Sequence, residues 1–188
     1  MTRASLRIAF LLLVAAVTRA DEPSVEWGPI MKGLLMSARL ERPRYRAGEP
    51  IVVDIVIKNT SKELVFLGFS AEDTASFEIV VSYTGGGLTQ AGRMPLTKYG
   101  TWRFTPFGAS KNIQINLKAG EERRYRFPLN RMYDMTLDGD YSIVVNRTVP
   151  GGFRYDADGH MLAIEGNRPA ELMSNELRVV ISDAASQK

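Results

Sequence analysis

IVVDIVI, residues 51–57, is the stretch of sequence that decides the fold. β-Branched side chains pack well on a pleated, half-buried surface, so an almost unbroken run of them predicts a strand. Successive side chains of a strand point to opposite faces, which places Ile51, Val53, Ile55 and Ile57 on one face. The turn-forming segments RYRAGEP at 44–50 and NTSK at 59–62 bound the strand.

Segments of the same kind lie on both sides of this strand. The alternation of apolar and polar residues predicts strands at 36–40, 64–69, 77–83, 112–117, 123–129, 140–148 and 176–182. A single helical turn is expected near 130–135, and residues 98–110 are expected to be irregular. About seven to nine short strands separated by turn signals predict an all-β chain folded as an immunoglobulin-like antiparallel β-sandwich.

The segment DGDYSIV at 138–144 adds a specific expectation. An acidic-glycine turn followed by a tyrosine and an apolar strand resembles the tyrosine corner of immunoglobulin-like domains. We therefore expect Tyr141 to be a structural residue, largely buried, with its hydroxyl bonded to main chain within 133–138.

The N-terminus has the pattern of a secretory signal peptide. Arg3 and Arg7 precede an uninterrupted apolar run at 8–17, and Ala20 supplies a small residue before Asp21. The apolar run is shorter than the about 20 residues that span a bilayer. We expect a signal peptide at 1–20, a short polar lead at 21–26, one sandwich domain at 27–183 and a disordered tail at 184–188.

Charge and composition narrow the function classes. Without the signal's three arginines the chain has 21 basic and 21 acidic residues, and it has no cysteine. A neutral exported domain gives little reason to expect nucleic acid or an anionic membrane as partner. The absence of cysteine excludes disulfides and thiolate chemistry. The expected location is the periplasm or the extracellular space, with no membrane span after signal cleavage.

The N-terminal half of the predicted domain carries a family resemblance. Trp27, Gly28, Gly33-Leu34, Gly48-Glu49 and the Asn59/Ser61 turn resemble the opening of exported bacterial immunoglobulin-like modules. The run at 115–145 is similar to the closing half of such sandwiches. The chain also resembles the bacterial intracellular proteinase inhibitor family and the immunoglobulin-like segments of some secreted metallopeptidases. The resemblance implies a sandwich with Trp27 in a structural role, and the signal peptide argues against an intracellular inhibitor.

Candidate metal chemistry is confined to one turn. His160, the only histidine, follows Asp156, Asp158 and Gly159, and we expect this turn to join hairpin strands at 153–155 and 161–164. The match to a calcium loop is poor, because a third oxygen-bearing residue is missing before the glycine. Tight turns need Asp and Gly on their own account. Neither a metal site nor a cofactor is therefore expected.

Other candidate motifs have simpler explanations. Paired carboxylates of a glycosidase would have to come from acids such as Glu72, Asp73, Glu121 or Asp134, and no spacing selects a pair. Residues 85–87, GGG, lack the Lys-Ser/Thr of a phosphate loop and suit a hairpin turn. In RRYRF, residues 123–127, alternation directs Tyr125 and Phe127 to the core and Arg124 and Arg126 to water. No catalytic residue is expected.

The aromatic segment at 98–107 is the candidate binding site. It contains Tyr99, Trp102, Arg103, Phe104 and Phe107. Loops at the ends of sandwiches are where binding residues concentrate, and flat rings add contact area at little entropic cost. The alternative is that these rings only close the end of the sandwich. Trp102 is the expected anchor, and complete burial of its indole would exclude that role.

Three functions remain open from the sequence. The first is a non-enzymatic binding or accessory module that recognises an unknown protein or glycan through the end loops at 98–110 and 150–169. The second is a secreted protease inhibitor that presents one of these loops to an active-site cleft. The third is a carboxylate-based hydrolase, which needs two acids within about 10 Å in a concave site.

Overall fold

The computed structural model describes residues 25–69, 76–85, 92–104, 114–151, 153–155, 161–163 and 168–182. The predicted signal peptide and the predicted C-terminal tail lie outside these residues. Seven strands have five residues or more: β1 (Leu34–Leu40), β3 (Val52–Asn59), β4 (Val65–Phe69), β5 (Phe77–Gly85), β8 (Glu122–Pro128), β9 (Gly139–Val149) and β13 (Leu177–Ser182). The shorter strands are β2 (Arg44–Arg46), β6 (Gly92–Arg93), β7 (Gln114–Leu117), β10 (Phe153–Tyr155), β11 (Met161–Ala163) and β12 (Ala170–Met173).

The first sheet is antiparallel, with the strand order β1-β3-β8. Because β3 is the centre of this sheet, IVVDIVI does organise its neighbours on both sides. The side chains of Val53, Ile55 and Ile57 are buried on the inner face, together with Phe127 from β8. Asp54 and Lys58 lie on the outer face, as strand alternation requires.

The second sheet has the order β2-β13-β9-β5-β6, and β12 also pairs with β9. Its pairs are antiparallel except that of β13 with β2. The inner residues of its long central strand, β9, are buried at every second position from Tyr141 to Val149. Two further pairs, β4-β7 and β10-β11, are antiparallel. All eight predicted strands are present, and the chain is an immunoglobulin-like β-sandwich.

The inner faces of the two sheets meet through aromatic side chains and one arginine. Phe77 of β5 packs edge-to-face on Tyr125 and Phe127 of β8, with ring centroids 4.8 and 5.3 Å apart. The guanidinium of Arg147 is buried between the sheets, 4.6 Å from the Phe77 ring and 5.6 Å from the Tyr125 ring. It donates a 3.3 Å hydrogen bond to the Leu67 carbonyl oxygen. A buried charge is tolerated only with such partners.

The predicted tyrosine corner is confirmed. Tyr141 is buried, and its hydroxyl donates to the Leu137 carbonyl oxygen at 2.7 Å. A second tyrosine, Tyr83, packs edge-to-face on the Tyr141 ring and donates to the Asp138 carbonyl oxygen at 2.9 Å. Two phenols therefore hold the same turn from adjacent strands of the second sheet.

The outer edge of β1 is covered by side chain and loop. Asn175 pairs with the main chain of Ala38 as a strand would: its Oδ1 accepts from the Ala38 N–H at 2.7 Å, and its Nδ2 donates to the Ala38 carbonyl at 3.1 Å. The N–H of Gly28 donates to the Met36 carbonyl at 2.9 Å. The segment that precedes β1 therefore runs beside it.

The expected irregularity of residues 98–110 is wrong for its first half. Residues Lys98–Phe104 form helix α1, and residues 105–113 lie outside the described residues. The expected single turn near 130–135 is α2 (Leu129–Met132). Within the described part of the chain, neither helix has the length and apolar character needed to cross a membrane.

Candidate binding surfaces

Helix α1 is started by Thr97. The Thr97 hydroxyl accepts a 3.0 Å hydrogen bond from the N–H of Gly100, as an N-cap side chain does, and the Thr97 carbonyl accepts from the N–H of Thr101 at 2.9 Å. This cap outweighs the helix-breaking tendency of the glycine inside the helix. It is the local reason why the first half of the expected loop is helical.

The capped helix is docked on α2. The Thr97 N–H donates to the Met132 carbonyl at 2.9 Å, and the Thr97 hydroxyl donates to the Arg131 carbonyl. Gly100 is buried at the contact, where a Cβ atom would lie 2.1 Å from the Met132 carbonyl oxygen. Only glycine allows this approach. Gly100 therefore lowers the helix propensity of the segment but permits the close packing of α1 on α2. The end of the sandwich is therefore built from two short helices held together by main-chain contacts.

The docking presents an aromatic patch, which we define as Tyr99 and Trp102 together with the guanidinium of Arg131. Their ring centroids lie 5.9 Å apart, and the Arg131 guanidinium carbon lies 4.6 Å from the Tyr99 ring centroid. Tyr99 is half-buried against the core, but Trp102 is 52% exposed. The exposure of the indole means that burial does not exclude Trp102 as an anchor.

The remaining residues of the predicted site stay predictions. Arg103 and Phe104 are the last two residues of α1, and only their backbone is described. Phe107 lies outside the described residues. Arg131 belongs to the patch, although it was not predicted. Its only signal in the sequence was its position in the expected helical turn near 130–135.

A second concave surface crosses the outer face of the three-stranded sheet. We call it the arginine trough: Arg39 of β1, Asp54 and Val56 of β3, Arg124 and Arg126 of β8, and Trp27 from the segment before β1. Its volume is about 780 Å³. Cross-strand register places Arg39, Asp54 and Arg126 in one row, and Ser37, Val56 and Arg124 in the next. Trp27, expected to be structural, is half-buried at this surface.

The ionised groups of the trough are partly paired. The Arg126 Nε lies 2.7 Å from an Asp54 carboxylate oxygen. Glu122 lies 3.3 Å from the Lys58 ammonium and 3.6 Å from the Arg124 guanidinium. Arg39 makes no ion pair with any residue that the structure describes. The sequence predicted that Arg124 and Arg126 face water. Which residues of the neighbouring strands lie beside them depends on the strand register, which the sequence did not predict.

Two tyrosines near the corner turn have perturbed acidities. Burial raises the pKa of Tyr141 from 10.0 to about 12. Burial also raises the pKa of Tyr133 to about 12, and the Tyr133 hydroxyl donates to the Ile79 carbonyl. Both phenols are neutral anchors bonded to main chain, so the shifts reflect structure and not acid-base chemistry.

The two candidate catalytic acids that the structure describes, Glu121 and Asp134, each accept a local hydrogen bond. Glu121 accepts a 2.8 Å hydrogen bond from the Lys118 N–H in its own turn, and Asp134 accepts one from the Thr136 hydroxyl at 2.8 Å. Glu72 and Asp73 lie outside the described residues. In the trough, Asp54 and Glu122 are already engaged with cations. These contacts give no support to the hydrolase hypothesis.

The hairpin expected around His160 is confirmed as β10 paired with β11, with Phe153 opposite Ala163. The turn itself, with Asp156, Asp158, Gly159 and His160, lies outside the described residues. Among the described residues, no group of three or more His, Cys, Asp or Glu side chains could hold a metal ion.

No protein-family model matches this chain, and no curated protein matches its sequence. Solved structures similar to it include a CARDB domain from Pyrococcus furiosus in complex with di-metal ions, at 16% identity and a TM-score of 0.34, covering 79% of this chain and 91% of that one. A mutant β-glucosidase from Listeria innocua in complex with laminaribiose has 11% identity and a TM-score of 0.36 over 79% of this chain. The chain spans only 16% of that enzyme's length. At these TM-scores, neither likeness bears on function.

Proposed function

We propose that this protein is an exported, non-enzymatic binding module and that the aromatic patch on α1 is its contact with a protein or glycan. The observation that carries the proposal is the 52% exposure of Trp102 on a helix whose backbone is capped and docked. Tryptophan is among the residues that most often dominate binding energy at interfaces. A rigid element that presents it loses little further entropy on binding.

The neighbours of Trp102 support the same assignment. Tyr99 supplies a second ring 5.9 Å away, and Arg131 supplies a guanidinium beside it. Aromatic rings with an arginine provide both apolar contact and hydrogen-bond donors, which a glycan or a peptide surface can use. Arg103, Phe104 and Phe107 are proposed to extend the patch.

The protease-inhibitor alternative finds less support. Peptide recognition in a groove or on a sheet edge uses extended chain, whose main-chain groups are free to pair. Residues Lys98–Phe104 are helical and not extended. The insertion at 150–169 remains an alternative carrier of that function.

The decisive experiment removes Trp102 and compares a matched control. Tagged mature protein is presented to a glycan panel and to secreted proteins, and each bound partner is purified and titrated. Trp102→Ala should weaken binding at least about thirtyfold, the range of an interfacial hot spot. Leu64→Ala removes a side chain that is 62% exposed in the loop before β4, and should bind as wild type. Equal affinity of Trp102→Ala and wild type would overturn the proposal.

Export is tested separately. The chain is expressed with its first 20 residues in a bacterial host, and the N-terminus of the released protein is sequenced. The proposal expects a mature chain that begins at Asp21. Protein retained in the cytoplasm with Met1 or Thr2 at its N-terminus would contradict it.

A further inference from the structure

We propose that the arginine trough is a second ligand site, specific for a carboxylated saccharide, with Arg39 as the residue that binds the carboxylate. This site is independent of the aromatic patch. The trough volume of about 780 Å³ falls in the range of small-molecule and oligosaccharide sites.

The trough offers guanidinium donors to an anion. Its lining carries three arginines, Arg39, Arg124 and Arg126, and three carboxylates, Glu41, Asp54 and Glu122. Two of these carboxylates are already engaged with cations. Asp54 is held by Arg126 at 2.7 Å, on the side of β3 away from β1. Arg39 lies opposite Asp54 on β1 and pairs with no acid in the described ranges. Its planar fork of donors is therefore available to a carboxylate.

Arg124 offers a second set of donors across the trough. Its side chain is 77% exposed, and its contact with Glu122 is long, at 3.6 Å. Arg39 and Arg124 lie in adjacent rows on strands that are two spacings apart, so their Cα atoms are separated by about 12 Å. Because both side chains are long, two carboxylates of one acidic oligosaccharide can address Arg39 and Arg124 at once.

The other lining residues suit the rest of a sugar acid. Trp27 is half-buried at the trough, where an indole can contact the apolar face of a pyranose ring. Val56 lies on the central strand, between Ser37 of β1 and Arg124 of β8. Glu41 and Asp54 offer oxygen acceptors for hydroxyl groups. Aromatic surface, acceptors and guanidinium donors together match a ligand that is both polyhydroxylated and anionic.

An acidic peptide fits this face less well. The main chain of β3 is hydrogen-bonded to β1 on one side and to β8 on the other, so the face presents side chains only. An extended peptide gains most of its affinity from main-chain pairing at a sheet edge, which this face does not provide. The saccharide needs no such pairing.

The test uses Trp27 as its own reporter. Trp102→Phe leaves Trp27 as the only tryptophan, and its emission is followed at physiological salt during titration with trigalacturonate. The proposal expects saturable binding, with no response to the neutral galactose trimer. Arg39→Ala should weaken binding about tenfold, as expected for loss of a hydrogen bond to a charged group. Arg178→Ala, which removes an exposed arginine from β13, is the matched control and should leave affinity unchanged.

Three outcomes would overturn the proposal. No binding of trigalacturonate at millimolar concentration would exclude the site. Equal affinity for triglutamate would show attraction by charge alone, and equal losses in Arg39→Ala and Arg178→Ala would show that the trough does not hold the ligand. Thermal unfolding of each variant, unchanged from wild type, confirms that affinity and not folding is measured.

Discussion

The two faces of the β1-β3-β8 sheet share one backbone but carry side chains of opposite character, apolar on the inner face and charged on the outer face. On the inner face, Ile55 and Phe127 are buried against the second sheet. On the outer face, one position away, Asp54 and Arg126 form an ion pair in which the arginine side chain is 73% exposed. The comparison teaches that strand alternation assigns stability and recognition to different residues of the same strand. Inner side chains must fill the space between the two sheets, and outer side chains are free to carry charge.

The largest effect should follow a cavity on the inner face. Phe127→Ala removes a buried ring that packs on Phe77 at 5.3 Å, and should lower the free energy of unfolding by about 3–5 kcal/mol. Urea denaturation followed by circular dichroism measures this change. A loss below about 1 kcal/mol would mean that the two faces do not differ in the way described.

A change of shape at constant charge should cost less. Arg147→Lys replaces a planar guanidinium, 4.6 Å from the Phe77 ring, by a compact ammonium that stacks poorly. We expect a loss of about 1–2 kcal/mol in the same denaturation experiment. The exposed control Arg178→Lys should be neutral. If Arg147→Lys were as stable as wild type, charge and not ring stacking would explain why an arginine occupies the inner face of the second sheet.

Loss of one hydrogen bond in the second sheet should cost about 1 kcal/mol. Tyr141→Phe keeps the buried ring and removes the hydroxyl that donates to Leu137. A pKa raised to about 12 in the folded protein means that the stabilisation is complete below pH 10 and is lost as the pH rises toward 12. The phenylalanine variant should therefore lose less stability than wild type over this interval. Parallel alkaline titrations of unfolding free energy test it, and identical pH slopes would refute it.

The smallest effect on stability is expected on the outer face. Arg126→Gln breaks the 2.7 Å ion pair with Asp54, but exposed pairs contribute less than about 1 kcal/mol. The difference from wild type should shrink further in about 1 M salt, where the Debye length is about 3 Å. Thermal melts at low and high salt measure it. A loss of stability that does not depend on salt and is as large as that of Phe127→Ala would contradict the proposed difference between the two faces.

Alternation predicted seven of the eight main strands, because each has one buried and one wet face, and the β-branched run at 51–57 predicted the eighth. The tyrosine corner was predictable for a different reason: the hydroxyl of Tyr141 reaches a carbonyl only four residues away in the chain, a contact that depends on local geometry. Both the alternation pattern and the tyrosine corner depend on residues that are close together in the sequence.

Features that depend on distant partners were not accessible in the same way. Helix α1 needs Thr97 to cap it and Gly100 to approach α2, and the docking partner is about thirty residues further along the chain. The arginine trough needs the register of three strands. Arg147 falls in phase with the buried residues of β9, but a charged side chain is normally expected at the surface. Its burial becomes understandable only from the structure, where the rings of Phe77 and Tyr125 flank the guanidinium.

The side-chain amide of Asn175 has a consequence for the behaviour of this protein in concentrated solution. Its bonds to Ala38, with that of Gly28 to Met36, occupy main-chain groups at which a strand from another molecule would add to β1. Unpaired edges are the usual template for cross-β assembly. Because the Asn175 amide occupies both main-chain groups of Ala38, we expect it to disfavour assembly through this edge.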